Sequence, residues 1–178
     1  MKKIYLVIIF SLLLFGCGKD DFAPDKGNCT YDGKIFSLDK GFIRCEYFDE
    51  YWSGQAGEDA PYEYDVFLTS SSISWSDNQE SFVGNGNWIL FELNTDKEGL
   101  AEGTYNLGGY SSYTIASVDF ETVGNPDSYG GFECYSGSVD ITRNGNIYKF
   151  DFTFRTEENK ILKGVFEGPL TTLKQEVW

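Results

Sequence analysis

The feature that most constrains this chain is the period-two alternation near its C-terminus, in the stretch SGSVDITRNGNIYKFDFTFRTEENKILKGVFEGPL. Successive side chains of a β-strand point to opposite faces, so this pattern predicts strands with one buried face rather than helices. Asn144-Gly145 is typical of a tight hairpin turn. The stretch therefore predicts three sequential strands, with one buried aromatic row made of Tyr148, Phe150, Phe152 and Phe154.

Similar signals run through most of the chain. Asp32-Gly33 predicts another hairpin turn, and GNWILFELN is apolar on both faces, as in a central strand. Aromatic residues make up 17% of the chain and glycines number 20, a mixture typical of strands joined by tight turns. We therefore predict a single antiparallel all-β domain over residues 29–178. The preferred architecture is a β-sandwich of about nine or ten strands, and the alternative is a lipocalin-like flattened barrel.

The N-terminus predicts export. Lys2 and Lys3 precede an apolar stretch over residues 4–15, which at about 1.5 Å per residue is too short to span a bilayer as a helix. The following LFGC resembles the lipobox of bacterial lipoproteins. The resemblance implies that residues 1–16 are a signal peptide cut between Gly16 and Cys17, and that Cys17 receives the lipid and is acylated.

The charged residues after the lipobox predict where the protein is displayed. Lys19, Asp20 and Asp21 follow Cys17 almost directly, and this group resembles the export tag of some Gram-negative surface lipoproteins. The resemblance implies an outer-membrane lipoprotein that faces the cell exterior, with the N-terminal lipid as its membrane contact. Residues 17–28 are expected to form the lipidated cysteine and a flexible tether.

The wider pattern of strands and turns is also similar to a group of small exported lipoproteins of unknown function. That resemblance rests on DGKIFSL, GTY, SGSVDI and KGVFEGPL. These are common β-turn patterns, and the resemblance implies no catalytic residues.

Charge and composition exclude several classes of function. The formal net charge of −14 disfavours binding to nucleic acid, because like charges repel. The chain has no histidine, which removes Ser-His-Asp and Cys-His nucleophiles and histidine-ligated metals. It contains no phosphate loop or dinucleotide fingerprint. We therefore expect a non-catalytic protein with no cofactor and no metal.

The cysteines predict a disulfide. Three remain after Cys17, namely Cys29, Cys45 and Cys134, and exported proteins meet an oxidising compartment. Alternation places Cys45 and Cys134 on inward faces of their strands. We therefore predict a Cys45–Cys134 bond.

The most suggestive candidate for a ligand site is EYFDEYWSG, where aromatic residues stand among carboxylates. Aromatic faces beside hydrogen-bonding groups are suited to sugars. The predicted ligand-binding residues are Tyr47, Tyr51, Trp52 and Trp75. The leading hypothesis is a glycan-binding module. The alternatives are a protein–protein accessory or adhesin-like subunit that uses an exposed strand edge, and a lipocalin-like carrier of a small lipophile.

Overall fold

The structure is a computed structural model that describes residues 27–47, 60–108, 112–127 and 131–174, with side chains from 46 and 47 excepted. The described residues form strands and turns and no helix, and none of them supplies a helical segment long and apolar enough to cross a membrane. The strands are β1 (Gly27–Tyr31), β2 (Lys34–Ser37), β3 (Lys40–Tyr47), β4 (Tyr62–Thr69), β5 (Ser74–Ser76), β6 (Ser81–Val83), β7 (Gly86–Thr95), β8 (Gly103–Leu107), β9 (Thr114–Gly124), β10 (Phe132–Asn144), β11 (Ile147–Thr156) and β12 (Ile161–Thr172).

Ten of these strands form one sheet in the order β11-β10-β8-β9-β7-β4-β3-β12-β1-β2. The sheet closes on itself because β12 pairs with β11 on one side and, through Leu170–Thr172, with β3 on the other. Eight strands thus make a closed barrel, with β1 and β2 as additional strands. The all-β prediction is confirmed, and of the two architectures considered the barrel is the one found. Alternation within strands does not specify which distant strands pair, so the sequence could not distinguish closure from a sandwich.

The barrel interior is filled with large side chains. The aromatic row on β11 points inward as predicted, and its phenylalanines surround Phe91 of β7. The ring centroid of Phe91 lies 6.1 Å from Phe150, 5.4 Å from Phe152 and 5.8 Å from Phe154. Gly164 of β12 leaves room for this packing, since a Cβ there would lie 2.6 Å from the Phe152 ring. Burial of this cluster is the main stabilising term for the barrel.

A second buried cluster lies on the outer face of β3, β4 and β7. Trp88 and Leu90 of β7 point away from the interior and pack with Phe67 and Phe82. Phe82 belongs to a small hairpin made of β5 and β6, which covers this part of the barrel wall. The cover explains why β4 and β7 are apolar on both faces.

The β1–β2 hairpin lies across one end of the barrel. Its turn is the predicted Asp32-Gly33, where both residues have positive φ (50° and 75°), as the favoured two-residue hairpin turn requires. The backbone of β1 pairs with β12, whereas the ring of Tyr31 reaches Phe120 of β9 and Phe132 of β10. The hairpin therefore connects β12 to β9 and β10, which are not neighbours of β12 in the barrel.

The described domain begins slightly earlier than predicted. The sequence places Gly27 and Asn28 in the tether, but they pair with Phe166 and Val165 of β12 as the start of β1. The signal peptide, Cys17, Lys19, Asp20 and Asp21 lie outside the described residues.

Candidate functional site

A pocket of about 320 Å³ lies where the β1–β2 hairpin meets the ends of β9 and β10. We call it the hairpin pocket. It is lined by Tyr31, Asp32, Lys34, Phe36, Thr122, Val123, Phe132 and Lys160. This volume is at the lower end of the range of about 300–1,000 Å³ that is typical of small-molecule sites.

Aromatic rings provide the apolar part of the pocket. The ring centroid of Tyr31 lies 5.1 Å from that of Phe120 and 5.4 Å from that of Phe132, and Phe36 lies 5.7 Å from Phe120. Phe36 pairs with Cys29, which lies two residues before Tyr31 on β1. Tyr31 and Phe36 therefore face the same side of the hairpin. The hairpin thus presents ring faces to the end of the barrel.

Lys160 ties the hairpin tip to the β11–β12 turn. Its Nζ lies 3.2 Å from a carboxylate oxygen of Asp32 and 2.7 Å from one of Glu158. The same ammonium lies 5.5 Å from the centroid of the Tyr31 ring. Hydrogen bonds to Glu158 and Asp32 raise the pKa of Lys160, so this side chain stays cationic at neutral pH.

Lys34 and Val123 form the open rim of the pocket. Val123 is 74% exposed, and Lys34 is also exposed. The side chain of Lys34 has neither an ion pair nor a hydrogen bond with any residue in the described part of the chain. Its ammonium group is therefore available to a ligand.

The Tyr31 side chain is only 4% exposed. Its hydroxyl is buried and has no hydrogen-bond partner among the described residues. A buried polar group without a partner costs about 1–3 kcal/mol.

The buried thiols in the described part of the chain are not activated as nucleophiles. Burial raises the pKa of the Cys29 thiol to about 12, and burial together with the Asp119 charge raises that of Cys134 to about 12. Both thiols are therefore protonated at neutral pH, whereas a nucleophilic cysteine needs a lowered pKa. No group of three or more His, Cys, Asp or Glu residues among those described is placed to hold a metal ion.

Most of the predicted ligand site falls where the structure does not test it. Tyr51, Trp52 and the Tyr47 side chain lie outside the described part. Tyr47 pairs with Tyr62 at the start of β4, whereas Trp75 lies in β5, which follows the other end of that strand. Trp75 instead packs on Phe82 at a centroid distance of 5.2 Å. It therefore belongs to the second cluster.

The predicted Cys45–Cys134 disulfide is not formed in the structure, where Cys29, Cys45 and Cys134 are all thiols. Both predicted partners do pack with the barrel interior. However, Cys45 lies opposite Tyr64 on β4 and Cys134 opposite Thr156 on β11, and β3 and β10 are not neighbours in the barrel. An inward direction alone did not bring the two sulfur atoms together.

Sequence reasoning missed the hairpin pocket although it identified the hairpin. The available signal was the turn Asp32-Gly33 with Tyr31 and Phe36 on one face, on strands of five and four residues. Aromatic side chains on so short a hairpin need another surface to cover them. The sequence does not show that this surface is formed by Phe120 and Phe132.

Comparisons of the chain with protein-family models, with curated proteins and with solved structures find no match.

Proposed function

We propose that this chain is a lipid-anchored surface lipoprotein of the outer membrane whose barrel binds an extracellular glycan without catalysis, in the hairpin pocket. The N-terminal sequence supports the anchoring and the export. The observation that carries the proposed ligand class is the pocket lining, which combines ring faces with hydrogen-bonding groups. This placement replaces the segment around Tyr51 and Trp52 as the first site to test.

The lining matches what a sugar requires. Sugars present apolar C–H faces that stack on aromatic rings, and hydroxyls that need donors and acceptors. Phe36 and Phe132 offer the ring faces, while Thr122, Asp32 and Lys34 offer polar groups around them. The pocket is small enough for a ligand of one or two rings, such as the end of a glycan chain.

The packed interior gives less support to a lipophile carrier. Lipocalin-like carriers hold their ligand inside the barrel, where this chain places Phe91, Phe150, Phe152 and Phe154, all at most 1% exposed.

A protein partner is the second candidate, and the edge of β2 favours it. β2 ends the sheet, and Ile35 at its middle is 74% exposed. Exposed strand edges are sites where an extended segment of another protein can add a strand.

The test is thermal unfolding of the full-length lipoprotein, purified in detergent, against a panel of oligosaccharides. A ligand at about 100 times its Kd adds roughly 2.7 kcal/mol to the free energy of unfolding, a readily visible rise in Tm. Phe36→Leu removes a ring face while keeping an apolar side chain, and we expect it to weaken binding about tenfold, or 1.4 kcal/mol. Val123→Trp fills the rim and should do the same.

Val83→Trp is the matched control, because Val83 is also exposed and does not line the pocket. Binding that survives in Phe36→Leu and Val123→Trp but is lost in Trp52→Ala would move the glycan site to the segment around Trp52. A panel with no Tm shift would contradict the glycan proposal and favour a protein partner.

A further inference from the structure

We infer that the ligand of the hairpin pocket carries a carboxylate on a sugar ring, as uronic acids do, and that Lys34 binds this carboxylate. The inference rests on the proposed glycan function and specifies its ligand class.

The charge of the pocket lining differs from that of the whole chain. The chain has 28 acidic residues against 14 basic ones. The pocket is nevertheless lined by two lysines, Lys34 and Lys160, and a single carboxylate, that of Asp32. Lys160 also pairs with Glu158, which lies outside the lining, so Lys34 is the lysine of the lining whose charge no described carboxylate matches.

The two lysines have different roles. Lys160 is held by Asp32 and Glu158, so its charge is already matched by protein carboxylates. Lys34 has no ion pair with any described residue, although it lies two residues from Phe36 on the same strand. A carboxylate on a ring stacked against Phe36 would therefore meet an ammonium group that no described side chain competes for.

The overall negative charge does not prevent this binding. At physiological ionic strength, charges more than about 8 Å apart are largely screened. A charge-assisted hydrogen bond between an ammonium and a carboxylate in contact is about twice as strong as a neutral one. Local contact with Lys34 therefore outweighs the distant acidic surface.

The experiment measures the affinity of the full-length lipoprotein, in detergent at 0.15 M salt, for glucuronate, galacturonate and mannuronate and for their neutral amides. We expect at least one uronate to bind about tenfold more tightly than its amide, and the preference to fall as salt is raised. Lys34→Gln should lower the affinity for the uronate more than that for the amide, so that the preference for the acid disappears. Lys163→Gln is the control, because Lys163 is exposed on β12 and lies outside the pocket lining.

The outcomes separate this inference from the proposed function. Equal affinity for acid and amide, with both abolished by Val123→Trp, would overturn the carboxylate inference and leave glycan binding in the pocket intact. Binding that neither Val123→Trp nor Phe36→Leu weakens, or no binding of any of the six compounds, would overturn both. A tetrasaccharide ending in the preferred uronate distinguishes a free sugar acid from a chain terminus, because only a terminus site binds it as tightly as the monosaccharide.

Discussion

Asp119 is a single residue at which the fold tolerates unfavourable electrostatics. It lies on β9 opposite Glu133 of β10, with Glu92 of β7 also nearby. Burial raises the pKa of Asp119, and the negative charges of Glu92 and Glu133 raise it further, while a hydrogen bond from Ser117 acts in the opposite direction. The ionised form of Asp119 is therefore less stable in the folded protein than in the unfolded chain.

We predict that Asp119→Asn stabilises the protein at pH 7. The folded state holds the Asp119 proton more tightly than the unfolded chain does, whose pKa is about 3.8. The free energy of unfolding of the wild type therefore falls as pH rises from that value through the raised pKa of the folded state. The asparagine side chain does not ionise, so the variant does not lose this stability as pH rises. Its amide oxygen can still accept the hydrogen bond from Ser117. Urea midpoints at pH 7 and pH 3.5 check this: the variant should exceed wild type at pH 7 and lose that advantage at pH 3.5.

Asp77→Asn is the control, since Asp77 is exposed in a turn and its replacement should leave both midpoints unchanged. A variant that is less stable than wild type at pH 7 would show that Asp119 forms favourable contacts that outweigh the repulsion.

At the residue scale, the sequence predicts the face to which a side chain points better than it predicts which residue that side chain contacts. Alternation correctly placed Cys45 and Cys134 toward the interior. It could not predict the contact of Trp75 with Phe82, because that contact depends on the β5–β6 hairpin folding back over the outer wall. The direction of a side chain depends on its own strand, whereas its partner depends on how distant strands are arranged.

At the element scale, Lys40 fixes the β5–β6 hairpin to the barrel. Its Nζ donates hydrogen bonds to the carbonyl oxygens of Ser71 and Ile73, at 2.8 and 2.6 Å, and lies 2.8 Å from the Ser74 hydroxyl. Lys40 begins β3 and pairs with Thr69, so one partly buried cation joins the barrel wall to the segment that leads into the hairpin.

Lys40→Met should detach this hairpin more than it disturbs the barrel. Hydrogen bonds to a charged group contribute about 1.5–3 kcal/mol, and we expect a loss of about 1–3 kcal/mol in the free energy of unfolding. Amide exchange at Ile73, whose N–H bonds the carbonyl of Ser70 at 3.2 Å, should accelerate, while exchange at Phe152 in β11 should change much less. Lys163→Met serves as the matched control on an exposed lysine, and equal acceleration in both variants would argue against the role of Lys40.

The main strands were predictable as elements, and the small ones were not. The predicted nine or ten strands agree with the ten of the main sheet, because these strands carry alternating positions. The hairpin at Asn144-Gly145 is present, but its loop is one residue later: Asn144 pairs with Ile147, and Gly145, with a φ of 62°, takes the first loop position. β5 and β6 were missed because three residues each are too few to show a period.

At the scale of the whole molecule, closure depends on a short parallel seam between β3 and β12. Leu170 pairs with Gly41, and Thr172 with Ile43, after which the Leu173 N–H bonds the carbonyl of Ile43 at 2.8 Å. Nothing in the local pattern of either strand indicates this pairing, which joins segments near the two ends of the domain. The choice between sandwich and barrel therefore required the structure.

The backbones of β3 and β12 approach each other closely at this seam. A Cβ on Gly41 would lie 2.5 Å from a methyl carbon of Leu170 and 2.9 Å from the Phe166 ring. β3 and β12 thus approach closely because Gly41 has no side chain. Leu173, 3% exposed, then packs in the second cluster with Phe42, so the last described residues join the barrel closure to the outer cluster.

Removal of residues 170–178 should therefore open the barrel. The truncated chain loses the three seam pairs and the burial of Leu173, and loss of a buried leucine side chain costs about 2–5 kcal/mol. It also leaves β3 with an unpaired edge, which promotes association between chains. We expect a lower urea midpoint and increased light scattering on warming. Removal of residues 175–178 alone keeps the seam and is the control, and the longer truncation should have the lower midpoint of the two. If the two truncations unfold at the same midpoint, the seam contributes nothing measurable to stability, and the barrel must be held closed by its other pairings.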